Sequence, residues 1–209
     1  MSVQEQQRAM WQTIRERLGA KHLQAQNTAA ISTRVPGTAQ FWFAASEEAT
    51  PNLVTLGAEG ASAVQQLHAQ VYAARADIGA IASGCGRYGR HLLEVTGELP
   101  NVFDEQVRHI SKLMPSDTPW KTQLASGSNI LSHNGELLLL GMTGARLMLN
   151  AELFEKCAHA YVLAAATGKR ITQLPWRVRH FATRRLRKDQ QRAAARMAQG
   201  LLAEESKGY

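Results

Sequence analysis

Apolar positions along the chain fall into blocks whose spacing switches between helical and strand-like. Val3, Met10, Trp11, Ile14 and Leu18 recur at helical intervals and Gly19 can end the run, so the chain opens with an amphipathic helix. Residues 29–35 and 40–44 carry β-branched or aromatic side chains on either side of Pro36-Gly37-Thr38, which predicts a β-hairpin. A polar, proline-containing stretch follows. Val64, Leu67, His68, Val71 and Tyr72 then mark one face of a second helix that ends near Arg75-Ala76-Asp77. Residues 78–82 read as a buried strand running into the loop Ser83-Gly84-Cys85-Gly86-Arg87, where any function should concentrate. A third helix carries His91, Leu92, Leu93 and Val95 before Pro100. A second hairpin pairs residues 129–132 with 137–140 around His133-Asn134-Gly135-Glu136, its Asn-Gly pair being a turn signal. A long helix runs from Ala145 to about Thr167, with Gly168 as its stop. No internal repeat of solenoid length is visible.

Composition narrows the class. A chain of 209 residues, 44% hydrophobic with mean hydropathy −0.27, can bury a core as one domain without disulfides or metal staples. The first residues lack the basic-then-apolar order of a signal peptide, and no apolar run is long enough to span a bilayer; both favour the cytoplasm and no membrane partner. Two cysteines, Cys85 and Cys157, lie in unlike contexts and are expected to be reduced. The net charge of +7 is local: from Lys169 to Arg196 ten Lys and Arg face the single acid Asp189, so the rest of the chain is close to neutral.

Several segments together resemble the class II aldolase/adducin family of the fuculose-phosphate aldolase and ribulose-phosphate epimerase type. They are residues 67–82 (LHAQVYAARADIGAIA), the hairpin ISTRVPG at residues 31–37, VFDEQV at 102–107, the strand at 137–141 and the helix at 152–164, in the family's order. The resemblance covers residues 5–170. It implies an α/β fold, a three-layer α/β/α arrangement with a central, mainly antiparallel sheet covered by helices. It also implies two regions: residues 1–170 as the aldolase-like domain, and residues 171–209 as a basic helical extension packing on that domain or on a neighbouring subunit. Family enzymes hold a divalent metal, usually zinc, with three histidines, leaving an open position where substrate oxygens bind and charge is stabilised. Here the family's His-x-His is matched by Ser83-Gly84-Cys85, and its third histidine by Gly135. The acid/base glutamate falls in Ser62-Ala63-Val64, and valine cannot move a proton. The phosphate-binding Gly-Asn is matched by Ala29-Ala30, and the Pro-Ser-Gly by Ala45-Ser46-Glu47.

These replacements point to a non-catalytic scaffold or regulatory subunit without a cofactor. The resemblance implies a homo-oligomer, a tetramer favoured, pairing with an active paralogue or another protein. The alternative is a divergent lyase or epimerase acting on a small sugar-phosphate-like or oxo-acid substrate, with Ser83, Cys85, Arg87 and His133 as cleft residues. In that reading Arg87 or Arg90 favours a Cys85 thiolate exposed by its flanking glycines. A rebuilt zinc or other divalent-metal site would use Cys85 and His133, but two ligands without a third seldom hold zinc. His68 reads as a hydrogen-bonded core histidine, and His91 and His109 as surface residues. His159 and Cys157, at i and i+2, point to different faces. A third alternative has the basic tail bind an acidic partner or nucleic acid. Nucleic acid is not expected, since no reader motif is present and Trp176 with Phe181 is a thin stacking platform.

Overall fold

The computed structural model describes residues 1–24 and 29–205. The chain opens with α1 (Val3–Ala20), started by a capping box: the Glu5 amide donates to Ser2 Oγ, and the Ser2 amide to Glu5 Oε2. Next come β1 (Ala30–Val35), β2 (Gln40–Ala45) and β3 (Asn52–Thr55), then α2 (Ala63–Ala74) and β4 (Ala80–Ser83). After them lie α3 (Arg87–Val95), α4 (Asp104–His109), α5 (Trp120–Ala125), β5 (Ile130–His133) and β6 (Glu136–Gly141). Helices α6 (Gly144–Ala165) and α7 (Trp176–Ala198) complete the described chain.

The six strands form one antiparallel sheet in the order β3-β2-β1-β4-β6-β5. Strand β6 shows why both faces are covered. Leu137 and Leu139 join one core with Trp11, Ile14, Leu147 and Phe154, so that α1, α3 and α6 lie on that face. Leu138 and Leu140 join the other with Leu67, Val71 and Tyr72 of α2, and α5 adds Leu124. The expected three-layer α/β/α architecture is therefore present. The β5–β6 hairpin turns through Asn134 and Gly135, with φ of +51° and +82°, the two left-handed positions that a type I′ turn requires.

Three elements were not anticipated. Strand β3 is a four-residue edge strand, mostly exposed and preceded by Pro51, so its sequence carries no alternation. Helices α4 and α5 span six residues each, too short for a periodic stripe. The segment 102–107 that marked the resemblance includes α4, whose buried Gln106 side chain accepts from the amides of Val102 and Phe103 and donates to carbonyls of Pro100 and Ser111.

The Arg75-Ala76-Asp77 corner between α2 and β4 is held by a buried bidentate pair, Arg75 Nε and Nη2 to the Asp77 carboxylate at 2.8 and 2.7 Å. Arg75 also donates to the Ser128 carbonyl and to Asn129 Oδ1. Gln190 of α7 shares Asn129 Oδ1 and bonds the Gly127 carbonyl, which ties α7 to this corner. Around it, Leu186, Ala193 and Met197 pack on Met142, and Arg108 of α4 pairs with Asp189 at 2.6 Å. The last described turn is clamped by Arg146, whose guanidinium donates to the Glu205 carboxylate.

Candidate functional site

The positions that the resemblance assigns to metal and phosphate meet at one end of the sheet. There β1 begins, β4 ends, and the β5–β6 turn closes. Three side chains at this end, Ser83, Ser46 and Glu155, are drawn into holding the fold together.

Ser83 ends β4 and is fully buried. Its hydroxyl accepts from the Ala30 amide at 3.0 Å, joining β4 to the first residue of β1. The adjoining Ala29 carbonyl accepts from both the amide and the hydroxyl of Ser46, each at 2.8 Å. The backbone at the position that the resemblance assigns to phosphate is thus satisfied from within, and Glu47 is exposed next to it. The Gly84 amide donates to the Leu137 carbonyl, extending the β4–β6 ladder past its last paired residue. Gly135, at a left-handed turn position, carries no ligand atom, and a side chain there would be strained.

Cys85 corrects the nucleophile expectation. Its glycine neighbours do not expose it: the side chain is 1% exposed and packs in the core of the α1–α3–α6 face. Burial, reinforced by the nearby Glu155 carboxylate, pushes its thiol up to about 12, so the nucleophilic thiolate is suppressed at neutral pH. Arg87 is exposed on the first turn of α3. His133 is half-buried rather than displayed on a turn: it ends β5, with its ring 4.7 Å from that of Trp120. Cys85 packs in the α1–α3–α6 core, whereas His133 lies against Trp120, which packs on the opposite face of the sheet, so the two do not converge on one ion. Among the described residues no group of three His, Cys, Asp or Glu side chains could hold a metal. Val64 lies on the first turn of α2, half-buried and without proton chemistry. The residues present do not fit the three-ligand metal centre that the resemblance implies.

The residue that organises this end was missed. Glu155 of α6 reaches the start of α3 and accepts from the Tyr88 and Gly89 amides at 2.6 and 3.1 Å. Those amides are unpaired donors at a helix N-terminus, the usual place for a phosphate or other anion. Here the protein's own carboxylate fills it. The signal in the sequence was a pair of glycines: a Cβ on Gly86 would sit 2.5 Å from the Glu155 carboxyl carbon, and one on Gly89 2.6 Å from Phe154.

Four other histidines, His68, His109, His91 and His159, have neighbours that account for them. His68 is fully buried, its Nδ1 2.8 Å from Ser32 Oγ, which also meets the Tyr72 hydroxyl at 2.9 Å. Burial lowers its pKa to about 3, so it is neutral. His109 is not a simple surface residue. It is partly buried, and its Nδ1 receives a hydrogen bond from Arg146 Nη1, which places its proton on Nε2. Burial and the adjacent guanidinium lower it to about 4. His91 is exposed beside Glu94, and His159 stacks on Tyr88 at 3.8 Å. No described helix is long and apolar enough to cross a membrane.

No protein-family profile matches this chain, and no curated protein matches it significantly. Solved structures do. An L-fuculose 1-phosphate aldolase superposes with a TM-score of 0.69 at 16% identity, over 87% of this chain and 96% of that one. The L-fuculose 1-phosphate aldolase from Glaciozyma antarctica PI12 superposes with a TM-score of 0.68 at 15% identity, over 95% and 90%. An aldolase II superfamily protein from Pseudomonas syringae gives 0.67 at 16%, over 90% and 86%. The chain has the class II aldolase fold.

Proposed function

We propose that this chain is a non-catalytic protein on the class II aldolase fold, a scaffold or regulatory subunit that does not perform metal-dependent carbon–carbon cleavage. It works without a cofactor, as a homo-oligomer with a tetramer favoured, in the cytoplasm. One observation carries the reading: Ser83 and Ser46, at the positions the resemblance assigns to metal and phosphate, and the anion-accepting amides beside them are consumed by the fold. Ser83 is bonded to the Ala30 amide, Ser46 to the Ala29 carbonyl, and Glu155 to the amides that open α3. A divergent lyase or epimerase using Ser83, Cys85, Arg87 and His133 is less well supported. It would need a thiol or hydroxyl that substrate can reach, and both Ser83 and Cys85 are buried.

One preparation tests this. The full-length protein is purified without chelator, its zinc and manganese content and solution mass are measured, and it is assayed with L-fuculose 1-phosphate, the substrate named for two structural neighbours. The expected result is substoichiometric metal, no cleavage above the buffer rate, and a mass of several subunits. A stoichiometric ion whose removal abolishes a measurable cleavage rate would overturn the reading.

A further inference from the structure

Helix α7 presents two unlike faces. One, formed by Ala182, Leu186, Gln190, Ala193 and Met197, is buried against the body. The other lines an open groove of about 1090 Å³ that also includes Asn101. Into this groove project Arg179, Arg184, Arg185, Arg187 and Lys188, and no carboxylate lines it. Asp189, the acid within α7, is turned away and engaged by Arg108 and Arg192. Among the described residues none of the five groove cations forms an ion pair. The Nε atom of Arg179 and Oδ1 of Asn101 are buried without a protein hydrogen-bond partner.

The first two turns of α7 add a second kind of group. Trp176 is 64% exposed and Phe181 62%, and His180 lies between them, its ring 6.1 Å from the indole and 5.8 Å from the phenyl. All three rings line the same groove as the cations. An exposed ring cluster is unfavourable in water unless something covers it. An acidic protein segment would satisfy the charge and leave the rings unexplained. A nucleic-acid strand satisfies both, because its phosphates meet arginines while its bases offer flat faces to aromatic rings.

We propose that the exposed face of α7 binds single-stranded nucleic acid, with bases stacking on Trp176 and Phe181 and the phosphate backbone following Arg184, Arg187 and Lys188. This reverses the expectation from sequence, which could not show that the two aromatics and the cations share one groove. From residue 176 to residue 188 the helix advances about 18 Å. The five cations of the groove, Arg179, Arg184, Arg185, Arg187 and Lys188, can each meet one phosphate along that length. The proposal stands independently of whether the sheet-end site is catalytically inert.

The test is fluorescence anisotropy of the full-length protein with a labelled oligothymidylate of about 12 nucleotides, within the usual range of single-strand site sizes. With about five phosphates neutralised, log K should fall with log salt at a slope of about −3.5. Arg184→Ala/Arg187→Ala/Lys188→Ala should weaken binding at least tenfold and bring the slope up by about two. Trp176→Ala should weaken it about tenfold while leaving the slope unchanged. All four side chains are exposed, so folding is preserved, and a thermal melt of each variant verifies it. Weak binding insensitive to these changes overturns the proposal. So does duplex DNA of the same length binding as tightly with no dependence on Trp176, or polyglutamate competing as well as the oligonucleotide, which would make this an acidic-protein site.

Discussion

The buried Ser32–His68–Tyr72 cluster makes the protein's stability depend on pH in a calculable way. In the unfolded chain His68 takes up a proton near its ordinary value of 6.5; in the folded chain it does so only near 3, because the charged ring would be enclosed on every side. The folded pKa is depressed, so the unfolded state binds the extra proton first. The contribution is complete above pH 6.5 and is lost as pH falls towards 3. Within that window the slope is about 1.4 kcal/mol per pH unit, and over the whole interval the loss reaches about 5 kcal/mol. This is comparable with the entire stability of a marginal domain, about 5–15 kcal/mol. His109, lowered to about 4, adds a smaller slope of the same sign over 6.5 to 4, reduced because its ring is partly in water. The measurement is urea unfolding followed by circular dichroism at intervals from about pH 7 to about pH 4, on the wild type and on His68→Leu. The leucine variant breaks the bond to Ser32, costing about 1–2 kcal/mol at neutral pH. Ser32 keeps Tyr72 as a partner. Because the variant lacks the titration, the two stability curves should cross near pH 5.5, about one pH unit below the unfolded pKa. Parallel curves over the whole range would show that His68 is not held neutral by burial, and the argument would fail.

Three further outcomes follow from the geometry. Glu155→Gln should lower stability by about 1–2 kcal/mol, a fall of about 2–8 °C in Tm by calorimetry. Gly86→Ala, which displaces the same carboxylate, should not add to it in the double variant; full additivity would show the two are uncoupled. Cys85 and Cys157, both buried and both raised to about 12, should resist iodoacetamide at mildly alkaline pH until the protein is unfolded, and rapid labelling of native protein at Cys85 would contradict its placement. Arg75→Met should cost about 3–5 kcal/mol in chemical denaturation by stranding Asp77, and Arg75→Met/Asp77→Leu should recover much of it. Equal losses in the single and double variants would mean that the pair's own charge balance is not the cause.

How far the sequence revealed this molecule depended on how each element is stabilised. The four leucines of β6 and the helical stripes of α1, α2 and α6 were legible because burial on a fixed face imposes a period. The Asn134-Gly135 turn was legible because few other residue pairs take its conformation. The packed face of α7 left no such trace, since two alanines and Gln190 provide much of it and the charges on the other face dominate the composition. The candidate site was half legible. The residues at positions 83, 85 and 135 could be read directly, but Glu155, 66 residues from Gly89, enters through tertiary approach, and only the glycines at 86 and 89 hint at it. The burial of Cys85 was hidden for the same reason, its flanking glycines admitting the neighbours that cover it.

This sheet end differs from a three-histidine metal centre in more than the residues at positions 83, 85 and 135. Buried backbone donors and acceptors at this end would cost about 1–3 kcal/mol each if left unsatisfied. The chain answers each with a specific group: Ser83 for the Ala30 amide, Ser46 for the Ala29 carbonyl, and Glu155 for the amides of Tyr88 and Gly89. These groups interlock, because Glu155 also raises the Cys85 thiol and occupies the space that Gly86 leaves open. Putting a histidine at position 83 would remove the hydroxyl that holds β1 to β4, and one at position 85 would have to displace packed core. Histidines introduced at positions 83 and 85 should therefore destabilise the fold. Substitution is freer on the outer face of α7, where the cations and rings contribute little to the fold.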